Sequence, residues 1–162
     1  MNKILIALVV ILVGLGLIWF ARPQAQTNDP VIPSVPGSIS ATETAFDFGS
    51  ISMAAGKVSH QFTVRNSGVG VVTINKIYTS CMCTSAKLIT EKGSFGPFGM
   101  VGHGFIPSIN RPLLPGEEAK VDVVFDPAAH GPAGVGKIER MVTIENDAGE
   151  PVELRFSAVV TP

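Results

Sequence analysis

The sequence predicts an all-β chain, an antiparallel β-sandwich preceded by one N-terminal transmembrane helix. Three observations predict it. From residue 45 to residue 160, apolar and polar side chains alternate with period two through most of the chain, the spacing with which a strand buries one face and wets the other. The chain carries 17 Gly and 12 Pro, many of them between the alternating runs, which favours turns over long helices. Residues 4–20 are an apolar run interrupted only by Gly14 and Gly16.

Residues 1–21 are the expected signal-anchor helix. At about 1.5 Å per residue the apolar run is close to the shortest that crosses a hydrocarbon core. A cleavage site needs small residues, yet Trp19-Phe20-Ala21 places a bulky side chain three before the cut and Pro23-Gln24-Ala25 a proline. No cysteine follows the run to carry a lipid. Trp19 and Phe20 suit a membrane interface, and Lys3 with the α-amine favours an inside N-terminus, a bias Arg22 weakens without reversing. The expectation is a single-pass membrane protein that contacts the bilayer through residues 4–21, with its C-terminal domain on the extracytoplasmic side, periplasmic or cell-surface. Residues 22–43 read as a Pro/Gln-rich linker, in which Pro23, Pro30, Pro33 and Pro36 favour an extended tether.

Residues 44–162 are the expected sandwich. Phe46 and Phe48 flank Asp47 on one face. Val58, His60, Phe62 and Val64 share a face, opposite Ser59, Gln61, Thr63 and Arg65, and Asn66-Ser67-Gly68 marks a turn. Residues 71–78 are β-branched and read as the next strand; Ile74 and Ile77, one step out of alternation, predict a bulge. Ala119, Val121, Val123 and Phe125 alternate until Asp126-Pro127 stops them. Residues 138–145 follow, then the turn Asn146-Asp147-Ala148-Gly149, then Val152, Leu154, Phe156, Ala158 and Val160 in strict alternation. Such half-wet strands are wrong for parallel βαβ units.

Composition excludes some functions. A net charge of −1 with no basic stripe gives no field for nucleic acid. No serine, histidine and acid stand in a hydrolase motif, so no enzyme activity is expected. The two cysteines, Cys81 and Cys83, sit in Thr79-Ser80-Cys81-Met82-Cys83-Thr84 at a strand end. In an extended strand, residues two apart lie roughly 6.5 to 7 Å apart, at or beyond the limit for a disulfide, so a bond between them requires a turn or bulge. Three readings stay open: half-buried thiols or a local bond, a redox pair, or a soft-metal site for Cu(I). No basic residue or helix N-terminus near them in the sequence lowers a thiol pKa, which counts against redox chemistry. Met100 and His103 are candidates to join Cys81 and Cys83 as metal ligands, while Met82 helps only if the segment turns.

Residues 93–112 read as an inserted Gly-rich loop. Glycines at 93, 96, 99, 102 and 104 space out apolar residues, an odd mixture for a surface loop. Either the loop buries its own aromatics, or Phe95, Phe98, Met100, Phe105 and Ile106 form a docking surface for a partner protein or the bilayer. The spacing is no nucleotide fingerprint, because no strand-turn-helix surrounds it. His60 reads as a satisfied edge histidine and His130 as a solvated turn residue. Asp122, Asp126, Glu117, Glu118 and Glu139 read as solvated charges, and Arg140, on the face of Ile138 and Val142, as a side chain paired near the rim.

Several of these motifs occur together in one known family. Phe46-Asp47-Phe48-Gly49, the run 57–66 ending in Arg65-Asn66-Ser67-Gly68, Thr79-Ser80-Cys81-Met82-Cys83-Thr84, Leu114-Pro115-Gly116-Glu117 and Val123-Val124-Phe125-Asp126 arrive in the order of the domain of unknown function 1573 family, which the chain resembles over residues 44–160. The resemblance implies an immunoglobulin-like sandwich related to Hydin and major-sperm-protein domains, exported or surface-attached, with no established catalytic activity. The chain departs from the family at Met82, where glycine is usual, and in a longer stretch between Cys83 and Pro115. The leading expectation is a membrane-anchored, extracytoplasmic interaction or assembly module with a protein partner and no cofactor. The alternative is a Cu(I)-binding or thiol-redox protein using the Cys-x-Cys pair.

Overall fold

The computed structural model describes residues 2–3, 11–13, 15 and 37–162. The chain divides into two units, Met1–Pro33 and Ser34–Pro162. Of the first unit, Lys3, residues 11–13 and Leu15 are described, and they are helical and exposed. Most of the expected anchor over residues 1–21 and most of the linker lie outside the described residues. Among the described residues no helix is long and apolar enough to cross a membrane.

The second unit is two packed five-stranded sheets. Its strands are β1 Ile39–Ala41, β2 Ala45–Ser52, β3 Val58–Asn66, β4 Val72–Thr79, β5 Thr84–Thr90, β6 Gly93–Phe98, β7 Arg111–Leu113, β8 Glu118–Phe125, β9 Gly136–Asn146 and β10 Val152–Thr161. One sheet has the order β1-β3-β8-β5-β6 and the other β2-β10-β9-β4-β7. The alternating residues face inward as expected. Phe62, Val64, Val121 and Val123 from the first sheet meet Ile144, Leu154 and Phe156 from the second in one buried cluster. Each such side chain contributes about 1.5–3 kcal/mol by leaving water. The ring of Phe156 packs edge-on against Phe48, with centroids 5.5 Å apart, and tilted against Phe125 at 5.4 Å.

The predicted bulge is present: the register of β4 on β9 shifts between Ile74 and Lys76. His60 is satisfied, stacked on Phe46 with ring centroids 3.6 Å apart and with Nε2 2.9 Å from Glu43. Three expectations need correction. The sandwich is not wholly antiparallel, because β2 runs parallel to β10. No hairpin joins these strands; the whole domain intervenes, so nothing forces their directions to oppose. The linker does not extend to residue 43, because Ile39–Ala41 pairs with Asn66, Arg65 and Val64 of β3. Its lead-in passes so close to the β3–β4 turn that a Cβ on Gly68 would lie 2.5 Å from the Ser38 nitrogen, a contact only glycine tolerates. Finally, the expected loop 93–112 opens as a strand: β6 pairs with β5, matching Phe98 to Ala86 and Phe95 to Leu88. Burial of Phe98, 4% exposed, outweighs the turn tendency of its glycines.

Buried Asn66 ties the turns at one end of the sandwich. Its Nδ2 donates to the Gly70 and Leu113 carbonyls, each at 2.8 Å, and its Oδ1 accepts from the Gly68 amide at 3.0 Å. Two carboxylates stitch the second sheet: Asp47 accepts from the Gly49 amide and the Ser157 hydroxyl, and Asp147 from the Thr73 amide. Those hydrogen bonds, the Gly49 and Thr73 amides foremost, hold both carboxyls below the usual 3.8.

Two outcomes follow. Phe156→Ala should lower the unfolding free energy by about 3–5 kcal/mol in urea titrations followed by circular dichroism. Because both aspartates have depressed folded pKa values, their stabilising contribution is full above 3.8 and fades as pH falls through the folded values. An Asp47→Asn, Asp147→Asn double variant should therefore lose less stability between pH 5 and pH 2 than the parent, as read from melting midpoints.

Candidate functional site

The site is built at a corner. β4 belongs to one sheet and β5 to the other, so residues 80–83 must carry the chain across the edge of the sandwich. Buried Thr79 organises the crossing: its Oγ1 lies 3.0 Å from the Cys81 carbonyl and 3.2 Å from the Thr84 carbonyl. The Thr84 amide donates to the Cys81 carbonyl at 3.1 Å, and the Asp126 amide to the Cys83 carbonyl at 2.8 Å. Ser80 clasps β9, donating its amide to the Met141 carbonyl and accepting the Met141 amide on Oγ, both at 2.9 Å. This turn brings the Cα atoms of Cys81 and Cys83 to 5.3 Å, and the two form a disulfide. The turn that the extended-strand geometry required is therefore present. Both cysteines are buried, while Met82 between them points outward, 57% exposed.

Two nitrogen-bearing side chains reach the sulfurs. His130 Nε2 lies 3.2 Å from Cys81 Sγ. Arg140 Nε donates to Cys83 Sγ at 3.3 Å while its Nη1 donates to the Glu139 carbonyl at 2.8 Å. His130 arrives because β5 pairs with β8 so that Thr84 faces Phe125, which sets the turn after β8 beside the cysteines. Asp126 folds that turn by accepting the Ala128 amide on Oδ1 at 3.0 Å, a local bond typical of aspartate. Arg140 arrives from β9, next to the Ser80 clasp. Chain order suggests no basic residue near the sulfurs, which these contacts correct; His130 is the exposed turn residue expected, and from that turn it also reaches Cys81. Chain order hid them, because His130 and Arg140 are 49 and 57 residues from their sulfurs. Only the strand pairing brings them in.

Beside the disulfide lies an open cleft of about 520 Å³. Met100 and His103 line it together with Cys81, Met82, His130 and Arg140. Met100 is held there by a parallel bridge to Thr79, with the Thr79 amide on the Gly99 carbonyl at 3.0 Å. All four residues expected as metal ligands, Cys81, Cys83, Met100 and His103, thus gather at one corner. The sulfurs of Cys81 and Cys83 and a ring nitrogen of His130 lie within 4.8 Å of one another, a set with the geometry for a metal ion only when the disulfide is open.

The expected docking residues do not stay together. Phe98 is core, and Phe95 is half-buried beneath Arg111, whose guanidinium carbon sits 4.2 Å from the ring centroid. Met100 and Ile106 are half-buried. Phe105 alone of the set is fully in water, at 89% exposed, with Val101 near it in sequence at 57%. The loop of residues 99–110 is pinned at its far end by the Ile109 amide on the Asn75 carbonyl at 2.8 Å.

Residues 39–106 match the model of a family described as Protein of unknown function (DUF1573). The resemblance read from the motifs is shown over that stretch, which contains the cysteine corner. No curated protein matches the chain in sequence. Among solved structures, it is similar to a protein of unknown function from Porphyromonas gingivalis, with a TM-score of 0.56 and 15% identity over 82% of this chain and 51% of that one. The chain thus spans about half the length of that protein. A human ASH/PapD-like domain aligns with a TM-score of 0.47 and 15% identity, over 86% of this chain and 98% of the domain. At these identities the likeness to the Porphyromonas gingivalis protein is one of fold.

Thr79→Val removes the hydroxyl that serves two carbonyls of the corner. It should cost about 1–3 kcal/mol of stability in urea titrations, and Thr79→Ser, which keeps the hydroxyl, should cost less. A loss in Thr79→Ser with none in Thr79→Val would show that the methyl group, not the hydroxyl, holds the corner.

Proposed function

We propose that the chain is a membrane-anchored, extracytoplasmic immunoglobulin-like module that works by binding a protein partner, not by catalysis. The observation that carries this reading is Phe105, a large aromatic side chain 89% exposed on a loop that hydrogen bonds fasten to the sandwich at both ends. Loops on rigid scaffolds present binding residues at little ordering cost. Val101 on the same loop and Met82 on the corner add exposed apolar surface, and aromatic and methionine side chains are enriched where protein surfaces meet.

The alternative route, strand addition at a sheet edge, has less support. Of the four edge strands, β6 and β7 carry Pro97 and Pro112, each lacking the amide that an added strand would need, and β1 is three residues long, which confines this route to β2, eight residues without proline. The anchored, extracytoplasmic placement rests on the apolar run 4–20 and on the Lys3 side of it being retained inside.

A photo-crosslinking residue placed at position 105 in the full-length protein, in its native membrane, should capture one discrete partner. A Val101→Ser, Phe105→Ser double variant should lose the partner in pull-down while its melting midpoint stays unchanged, because neither side chain packs in the core. Retention of the partner at full yield would remove this loop from the binding surface. Phe98→Ser is the contrast, and should unfold the domain.

A further inference from the structure

We propose that the reduced chain binds one Cu(I) ion between Cys81 Sγ, Cys83 Sγ and His130 Nε2, a property separate from partner docking through Phe105. The chain has two cysteines, five methionines and three histidines. Both cysteines, Met82, Met100, His103 and His130 come together at a single corner, although they are drawn from β5's lead-in, the 99–110 loop and the turn after β8. Core packing does not require such a gathering, because Met82, His103 and His130 are all exposed.

The donor set selects the metal. Thiolate and thioether sulfur suit Cu(I), whereas Zn(II) is borderline and completes a tetrahedron with a fourth protein ligand or a water. Three donors lie within 4.8 Å of one another, with two thioethers at the lip of the same cleft. Two soft thiolates and one borderline imidazole make a low-coordinate site. The methionines at its mouth are placed to receive an incoming ion and pass it inward.

Charge balance points the same way. Two thiolates around Cu(I) leave one net negative charge. Arg140 Nε, 3.3 Å from Cys83 Sγ, already supplies the compensating cation and the hydrogen bond that a metal-bound thiolate accepts from its surroundings. The oxidised form has no lone thiolates to offer, so the disulfide makes binding conditional. A dithiol must first deliver two electrons and two protons, becoming a disulfide itself as the Cys81–Cys83 bond opens to two thiols. Cu(I) then displaces the two thiol protons to solvent.

The test uses the full-length protein in detergent, reduced with a dithiol, desalted under nitrogen and titrated with Cu(I) held by a chromophoric competitor. One Cu(I) should transfer per chain, with near-ultraviolet thiolate-to-metal absorption. His130→Ala should weaken binding roughly tenfold or more, and Arg140→Gln by about 10–100-fold. His60→Ala should change nothing. Because cysteine substitution disturbs the corner itself, the oxidised wild type serves as the matched control and should take up no ion. Failure to strip the competitor overturns the proposal. So does equal affinity in His130→Ala, equal uptake by the oxidised protein, or preference for Zn(II) when both ions are offered.

Discussion

The passage of the chain from one sheet to the other at residues 80–83 is the constraint around which the molecule is arranged. A strand that leaves one sheet must satisfy its backbone groups before the next sheet receives it, and at a rim there is no ladder to do so. Thr79 solves this from inside, with one buried hydroxyl between two carbonyls. Ser80 and Asp126 complete the accounting from β9 and from the end of β8. The cysteines lie within this turn, so their approach is a consequence of the crossing. The same tight geometry throws Met82 outward.

Everything chemically distinctive then accumulates at that rim. The end of β8 must lie beside the start of β5 because those strands pair, and its outgoing turn delivers His130. The loop after β6 also crosses between sheets, to reach β7, and its first residues bridge to Thr79. Two crossovers and one turn share a single end of the sandwich, and their side chains wall the cleft. The opposite end is spent on structure: Asn66 uses its whole amide to fasten the turns around β3, β4 and β7.

The strands with strict alternation were legible because a half-buried strand has to write its burial into every second residue. Val58 through Val64, Ala119 through Phe125 and Val152 through Val160 did so. The strands that went unseen had other reasons to form. Ile39–Ala41 is too short to show a period, and Gly93–Phe98 is two-thirds glycine, proline and serine yet is recruited by β5 and sealed by Phe98. The parallel pairing of β2 with β10 has no local signature, since direction is decided by two strands far apart in sequence.

The candidate site divides in the same way. Cys81, Cys83, Met100 and His103 were visible as residue types with an affinity for soft metals, because donor chemistry belongs to the side chain itself. That they meet, that His130 and Arg140 reach the two sulfurs, and that Phe98 belongs to the core while Phe105 stands in water were settled by packing. Periodicity in the amino-acid order specified which faces were greasy, since burial acts on each strand separately. Which strand ends share a rim depends on non-local pairing, and only the closed sandwich sets those distances.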